Sequence, residues 1–284
     1  MIRHSPKIKK KRNQKKTRMR NLKVMMAYRG TNYHGYQRQD NAMTVQETVE
    51  KAISRVLNEN VSICGCSRTD TGVHANSYCF NLKTEREIPT RNFIRGVNGY
   101  LPDDISILSC EEVDEAFHAR FDCLGKEYVY KMHCSESKNP FAPDMMLHYR
   151  RKFNTELAMS AAEPLIGTHD FKSFCGNCTT VSTTIRTIYD ISIESSGDIV
   201  IILVKGNGFL YNMIRIIVGT LIWVNEGKIS ADDIPSILTA KNRLKAGKTA
   251  LPHGLYLNRV FYGQESLNEL YSRSSKQEVL YGKL

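Results

Sequence analysis

A chain of 284 residues with 41% hydrophobic and 24% charged side chains is long enough for two packed domains or one large α/β unit, and no apolar run approaches the roughly 20 residues of a membrane span. Its formal net charge is +11, yet ten Lys and Arg fall in the first twenty positions with no acid among them, leaving 30 bases against 29 acids elsewhere. A basic surface on the body therefore has to come from segregation, and Asp103, Asp104, Glu111, Glu112, Asp114 and Glu115 do gather negative charge in one stretch.

In chain order, residues 1–20 read as a disordered basic arm, either phosphate-binding or merely solvated. Lys7 to Arg20 has no apolar core of a secretory signal, so the eight cysteines are expected in a reducing, cytoplasmic setting. Alternation from Leu22 to Tyr28 predicts a strand ending at Arg29-Gly30. The loop from Thr31 to Gln39 mixes aromatics, amides and bases suited to stacking and phosphate contact. Thr44 and Glu47 form a capping-box pattern ahead of a helix whose buried stripe is Val45, Val49, Ala52, Ile53, Val56 and Leu57. Strands near 61–66 and 77–82, a helix over 91–98 and a strand over 105–113 complete a β-α-β-β-α-β unit. Such a unit packs its helices on one face of the sheet and leaves the other face free for a ligand.

Past Phe117 the theme repeats: a strand over 127–133, a helix over 155–166, strands over 185–193 and 200–205, and a long helix over 209–225. The expected fold class is α+β. Two ferredoxin-like (RRM-like) halves, 21–115 and 116–263, share a mixed, mostly antiparallel sheet with helices on one face and a cleft between the halves. Residues 264–284 form a polar tail with no predicted fold.

Two stretches carry chemistry. Ser67-Arg68-Thr69-Asp70-Thr71-Gly72-Val73-His74-Ala75 is a polar loop after a strand, with one acid beside one base; by residue type alone Asp70 is more often a turn or capping residue than a catalyst. In the second, Gly206 to Trp223, the helix is apolar on nearly every face, so it is buried. Arg215 in its middle then needs a carboxylate partner, unless it snorkels outward along its own stem.

The loop from Ser67 to Ala75 resembles the signature of the tRNA pseudouridine synthase A (TruA) family. Tyr28 to Gln37, Phe117-His118-Ala119-Arg120-Phe121, Lys126-Glu127-Tyr128-Val129-Tyr130, the helix from Gly208 to Gly219, and Pro252 to Leu257 resemble further family blocks in the family's order. Ser67 replaces the usual Gly and Thr71 the usual Ala. The resemblance implies isomerisation of uridine to pseudouridine in the anticodon stem-loop of tRNA, with Asp70 as the essential carboxylate and Arg215 as its ion-pair partner, lowering the Asp70 pKa. It also implies that Arg68 fills the space of a flipped nucleotide, Tyr128 stacks on the uracil and Leu255 lines the pocket, with His74, Tyr33 and Gln37 as further substrate-binding residues. No cofactor, no metal, no membrane and a homodimer sharing one tRNA across an RNA-binding cleft complete the expectation.

Three rival readings are weaker. Cys175-Gly-Asn-Cys178, Cys64-Gly-Cys66 and His169 lack the paired knuckles or closely spaced histidines of a zinc site. A noncatalytic RNA-binding module of the same fold would bind without turnover. A glycoside hydrolase needs two partnered carboxylates, and only Asp70 stands out.

Overall fold

The computed structural model of the chain describes residues 18–179 and 181–272. Residues 1–17 of the basic arm, with its expected disorder, and residues 273–284 of the tail lie outside them. Leu22, Val24, Met26 and Tyr28 alternate to one side of the first strand, β1 (Arg20–Tyr28), and all four are buried. Helix α1 (Val45–Leu57) begins where the Thr44 side chain accepts the Glu47 amide and stops at Asn58, which is left-handed. The Glu47 carboxylate turns to Lys51, one turn on, at 2.7 Å. β2 (Cys64–Gly65), β3 (His74–Thr84), α2 (Thr90–Asn98) and β4 (Ile105–Val113) complete the predicted β-α-β-β-α-β order.

The remainder supplies β5 (Cys123–Cys134), β6 (Leu147–Tyr149), α3 (Thr155–Ala162), β7 (Gly167–Asp170), β8 (Ile185–Ser196), β9 (Ile199–Gly206), α4 (Met213–Asn225), α5 (Ile234–Ala240), β10 (Leu255–Tyr262) and α6 (Glu265–Tyr271). Ten strands form one sheet in the order β4-β1-β3-β10-β5-β9-β8-β7, with β2 on β3 and β6 on β5. Only β10–β3 and β5–β6 pair in parallel, so the sheet is mixed and mostly antiparallel among the described residues. β10 joins early strands to late ones: Tyr256 and Leu257 lie beside His74 and Ala75, while the other edge of β10 pairs with β5.

Two expectations are corrected. Tyr128, Tyr130 and Met132 of β5 face the main core with α1 and α4, whereas Val129 joins Ile201 and Leu203 in a small cluster on the reverse of the sheet. The open cleft is on the helix-bearing side, between α1 and α4, and not on the face opposite the helices. The polar tail also begins with a helix: α6 lies on the reverse face, where Leu270 is fully buried beside Gly125 and Lys205 Nζ donates to the carbonyls of Glu269 and Ser272 at 3.0 Å. One buried leucine in seven residues is too little periodicity to be read as a helix.

Candidate active site

The loop that carries Asp70 is fixed by its neighbours. The Tyr36 amide donates to the Thr69 carbonyl at 3.1 Å, the Gly72 amide to the Tyr33 carbonyl at 3.3 Å, and the Thr69 hydroxyl meets that of Tyr28 at 2.8 Å. Gly72 turns the chain with φ +75°, a region closed to most side chains, and the Val73 amide then donates back to the Asp70 carbonyl at 3.1 Å. The Tyr78 hydroxyl donates to the Ser67 carbonyl at the other end. Asp70 is therefore presented by a braced turn.

Across the cleft, α4 is buried along Met213, Ile214, Ile216, Ile217, Val218 and Leu221, as its apolar sequence requires. It starts four residues later than predicted, because Asn212 is left-handed and ends the preceding loop. Arg215 Nη1 lies 3.3 Å from Asp70 Oδ2, with the side chains 15% and 22% exposed, so the pair stays open to a ligand. Arg215 Nε donates to the Ala250 carbonyl at 2.7 Å and Nη1 donates to Asn212 Oδ1 at 2.8 Å. Burial pushes the Asp70 carboxyl above its ordinary range, and the Arg215 charge and hydrogen bond only partly oppose this. The expected net lowering by Arg215 is thus reversed by desolvation.

The cleft between α1 and α4 encloses about 690 Å³. Tyr128 and Leu255 form its floor, Arg68, Asp70 and Gln37 line it, and Phe209 stands edge-on to the Tyr128 ring at 5.2 Å. Among the described residues lining it, Asp70 is the one acid, against the bases Arg68, Arg120, Lys126 and Arg186. Burial holds the Tyr128 phenol protonated, and its hydroxyl meets Ser67 Oγ at 3.4 Å. Tyr33 and His74 do not line the cleft. The Tyr33 hydroxyl donates to Asp104 at 2.6 Å, and the His74 ring is locked between Gly30 and His253.

Sequence reasoning missed Asn212, Phe209 and Arg186. Arg186 carried no local signal at all, while Asn212 and Phe209 lay inside a stretch read as helix. The sulfurs of Cys175 and Cys178 approach one another, three residues apart in the chain, and the six other cysteines are free. Among the described residues no group of three His, Cys, Asp or Glu is placed to hold a metal ion, and no helix is long and apolar enough to cross a membrane.

A family model for tRNA pseudouridine synthase matches residues 24–122 and 161–263. The tRNA pseudouridine synthase A of Thermoanaerobacter sp. (strain X514) is 46% identical over 244 residues, 86% of this chain and 100% of that protein. The protein of the same name from Acetivibrio thermocellus is 46% identical with the same coverage. That from Clostridium acetobutylicum is 44% identical, again over 86% of this chain and 100% of the relative. A solved Cbf5-Nop10-Gar1 complex overlaps 85% of this chain and 60% of that chain at 14% identity and a TM-score of 0.34, too slight a likeness to carry an argument. Matched on both walls of the cleft and along the whole length of these relatives, the chain belongs to the tRNA pseudouridine synthase family.

Proposed function

We propose that this chain isomerises uridine to pseudouridine in the anticodon stem-loop of tRNA, with Asp70 as the catalytic carboxylate and no cofactor. The reaction breaks the bond from N1 to ribose C1′ and makes one from C5 to C1′ in the same nucleotide. The C5 hydrogen leaves as a proton and N1 gains one, so the balance requires no donor, oxidant or metal. A carboxylate can add to the base or to C1′, or take a ribose proton, and each route needs an anion held close in a desolvated site. Asp70 beside Arg215 supplies that anion.

The observation that carries this reading is a cleft lined by four bases and a single acid. Bases draw in a polyanion, and the lone acid is the group left to do chemistry. The target nucleotide has to leave its stack to reach Asp70, at a cost of a few kcal/mol. Tyr128 would stack on the extruded uracil, Arg68 would occupy the gap in the RNA, and Leu255 and Gln37 would close around the base. The family resemblance extends the proposal to a cytoplasmic homodimer that binds one tRNA between its subunits; sedimentation with and without tRNA reads the copy number.

Asp70→Asn tests the assignment, because the amide nearly matches the carboxyl in size but carries no charge. Release of tritium from C5-labelled uridine in a tRNA transcript should fall by at least about a thousandfold, with tRNA binding retained. Wild-type turnover by the purified variant would remove Asp70 from the chemistry.

A further inference from the structure

Asn212 stands at the start of α4 with φ 59° and ψ 8°, in the left-handed region. A residue at a helix start ordinarily turns its side-chain oxygen back to accept an amide N–H two or three positions on. Asn212 makes no such bond. Its Oδ1 instead accepts from Arg215 Nη1 at 2.8 Å, and the same nitrogen reaches Asp70 Oδ2 at 3.3 Å.

With Nε on the Ala250 carbonyl at 2.7 Å, the guanidinium plane is held at two nitrogens by short bonds before the carboxylate is considered. The contact to Asp70 is the longest of the three. Released at Nη1, the plane would pivot on Ala250 and carry its charge away from Asp70. Asn, Asp and Gly all tolerate the left-handed region, and of these only Asn brings an acceptor without a second negative charge beside Asp70. The other side of the carboxamide faces a close neighbour: a Cβ on Gly176 would lie 2.9 Å from Asn212 Nδ2. Because a guanidinium only donates, Oδ1 is the carboxamide atom that meets the arginine.

We propose that Asn212 is a positioning residue, whose carboxamide sets the angle at which Arg215 meets Asp70. The inference rests on Asp70 being the catalytic carboxylate. Asn212→Gly keeps the backbone conformation and removes the carboxamide. Asn212→Asp keeps an acceptor at the same reach and adds a second negative charge beside Nη1.

With the full chain and a tRNA transcript, Asn212→Gly should lower kcat about ten- to hundredfold and leave KM within about threefold. Asn212→Asp should recover most of kcat at high pH, while the acid limb of its kcat profile moves to higher pH, because a second carboxylate disfavours the ionised form of Asp70. Besides Arg215, the charged or titratable groups that act on the pair or share its cleft are Tyr128, Tyr130 and His253 together with the bases Arg68, Arg120, Lys126 and Arg186. Both phenols stay protonated throughout the range, and a His253→Asn background removes the imidazole from the profile. Unchanged kcat in Asn212→Gly, with Asp70→Asn inactive, overturns the inference and leaves the role of Asp70 standing. Turnover by Asp70→Asn sinks that role instead. A rise in KM at constant kcat makes Asn212 an RNA contact and also overturns the inference, and if Asn212→Gly does not fold, an unmoved acid limb in Asn212→Asp does so.

Discussion

His74 supports the Asp70 loop from behind without lining the cleft. Its ring is 1% exposed and stacks on Tyr256 with centroids 4.7 Å apart. Nδ1 accepts the Gly30 amide at 3.0 Å, so the proton sits on Nε2, which donates to the His253 carbonyl at 3.1 Å. A second proton would break the first of these bonds, and burial pulls the pKa from 6.5 down to about 4. Below pH 6.5 the unfolded chain therefore gains a proton that the native state refuses, so this contribution to stability is complete above that pH and is lost as pH falls toward 4. The expected loss is roughly 3 kcal/mol at the acid end. Urea denaturation from pH 7 to pH 4 should show it in the wild type and not in His74→Gln; parallel profiles would rule it out. Arg215 was legible in the sequence because a guanidinium inside an apolar helix demands an acceptor. Asn212 was not, since Phe209 and Leu210 carry the apolar run past it, and one polar residue inside such a run gives no sign of a left-handed turn. Tyr33 and His74 share loops with cleft residues, and a sequence motif does not separate residues that line from residues that brace.

Helix α4 delivers Arg215, but its position depends on the segment 246–250 packed along it. The Ala250 amide donates to the Arg215 main-chain carbonyl at 3.0 Å, the Gly247 amide donates to the Thr220 hydroxyl at 2.9 Å, and the Ala250 carbonyl receives Arg215 Nε. Gly219 permits this approach: a Cβ there would come 1.6 Å from the Lys248 carbonyl oxygen, so helix and segment would have to part. Gly219→Ala should cost about 1–3 kcal/mol of stability despite the better helix propensity of alanine. It should also lower kcat, because Ala250 would no longer meet the guanidinium. Thermal melts and single-turnover rates on the same preparation check both, and full turnover in a destabilised variant would show that the segment moves without disturbing Arg215. The apolar period of α4 was plain in the sequence. Its start was misplaced because Phe209 and Leu210 continue the apolar run, and only the left-handed Asn212 marks the boundary.

The order of the first six elements followed from local periodicity, but the unity of the sheet did not. β10 comes from near the end of the chain and enters between β3 and β5, so Tyr256 lies beside His74 across most of the sequence. Pairing at that separation leaves no trace in a window of ten or twenty residues. Charge follows a similar logic: Glu111 and Glu112 pair with Lys23 and Arg20 at the β4 edge, while Arg68, Arg120, Lys126 and Arg186 meet at the cleft. Segregation gives a nearly neutral body a basic mouth, as the composition required of any polyanion-binding protein.

The basic arm stands apart from that cleft in sequence, and its contribution is separable by experiment. Residues 1–17 hold eight of the chain's 40 Lys and Arg. Each phosphate they neutralise releases a counterion, steepening the fall of log K with log salt by about 0.7–0.9. A chain lacking residues 1–17 should therefore bind tRNA more weakly at low salt, with a slope flattened by up to about 7 if every base is engaged. Because the cleft and the Asp70–Arg215 pair remain, kcat at saturating tRNA should stay within about twofold. An unchanged salt slope would make the arm a solvated extension and assign the electrostatic attraction to the bases of the body.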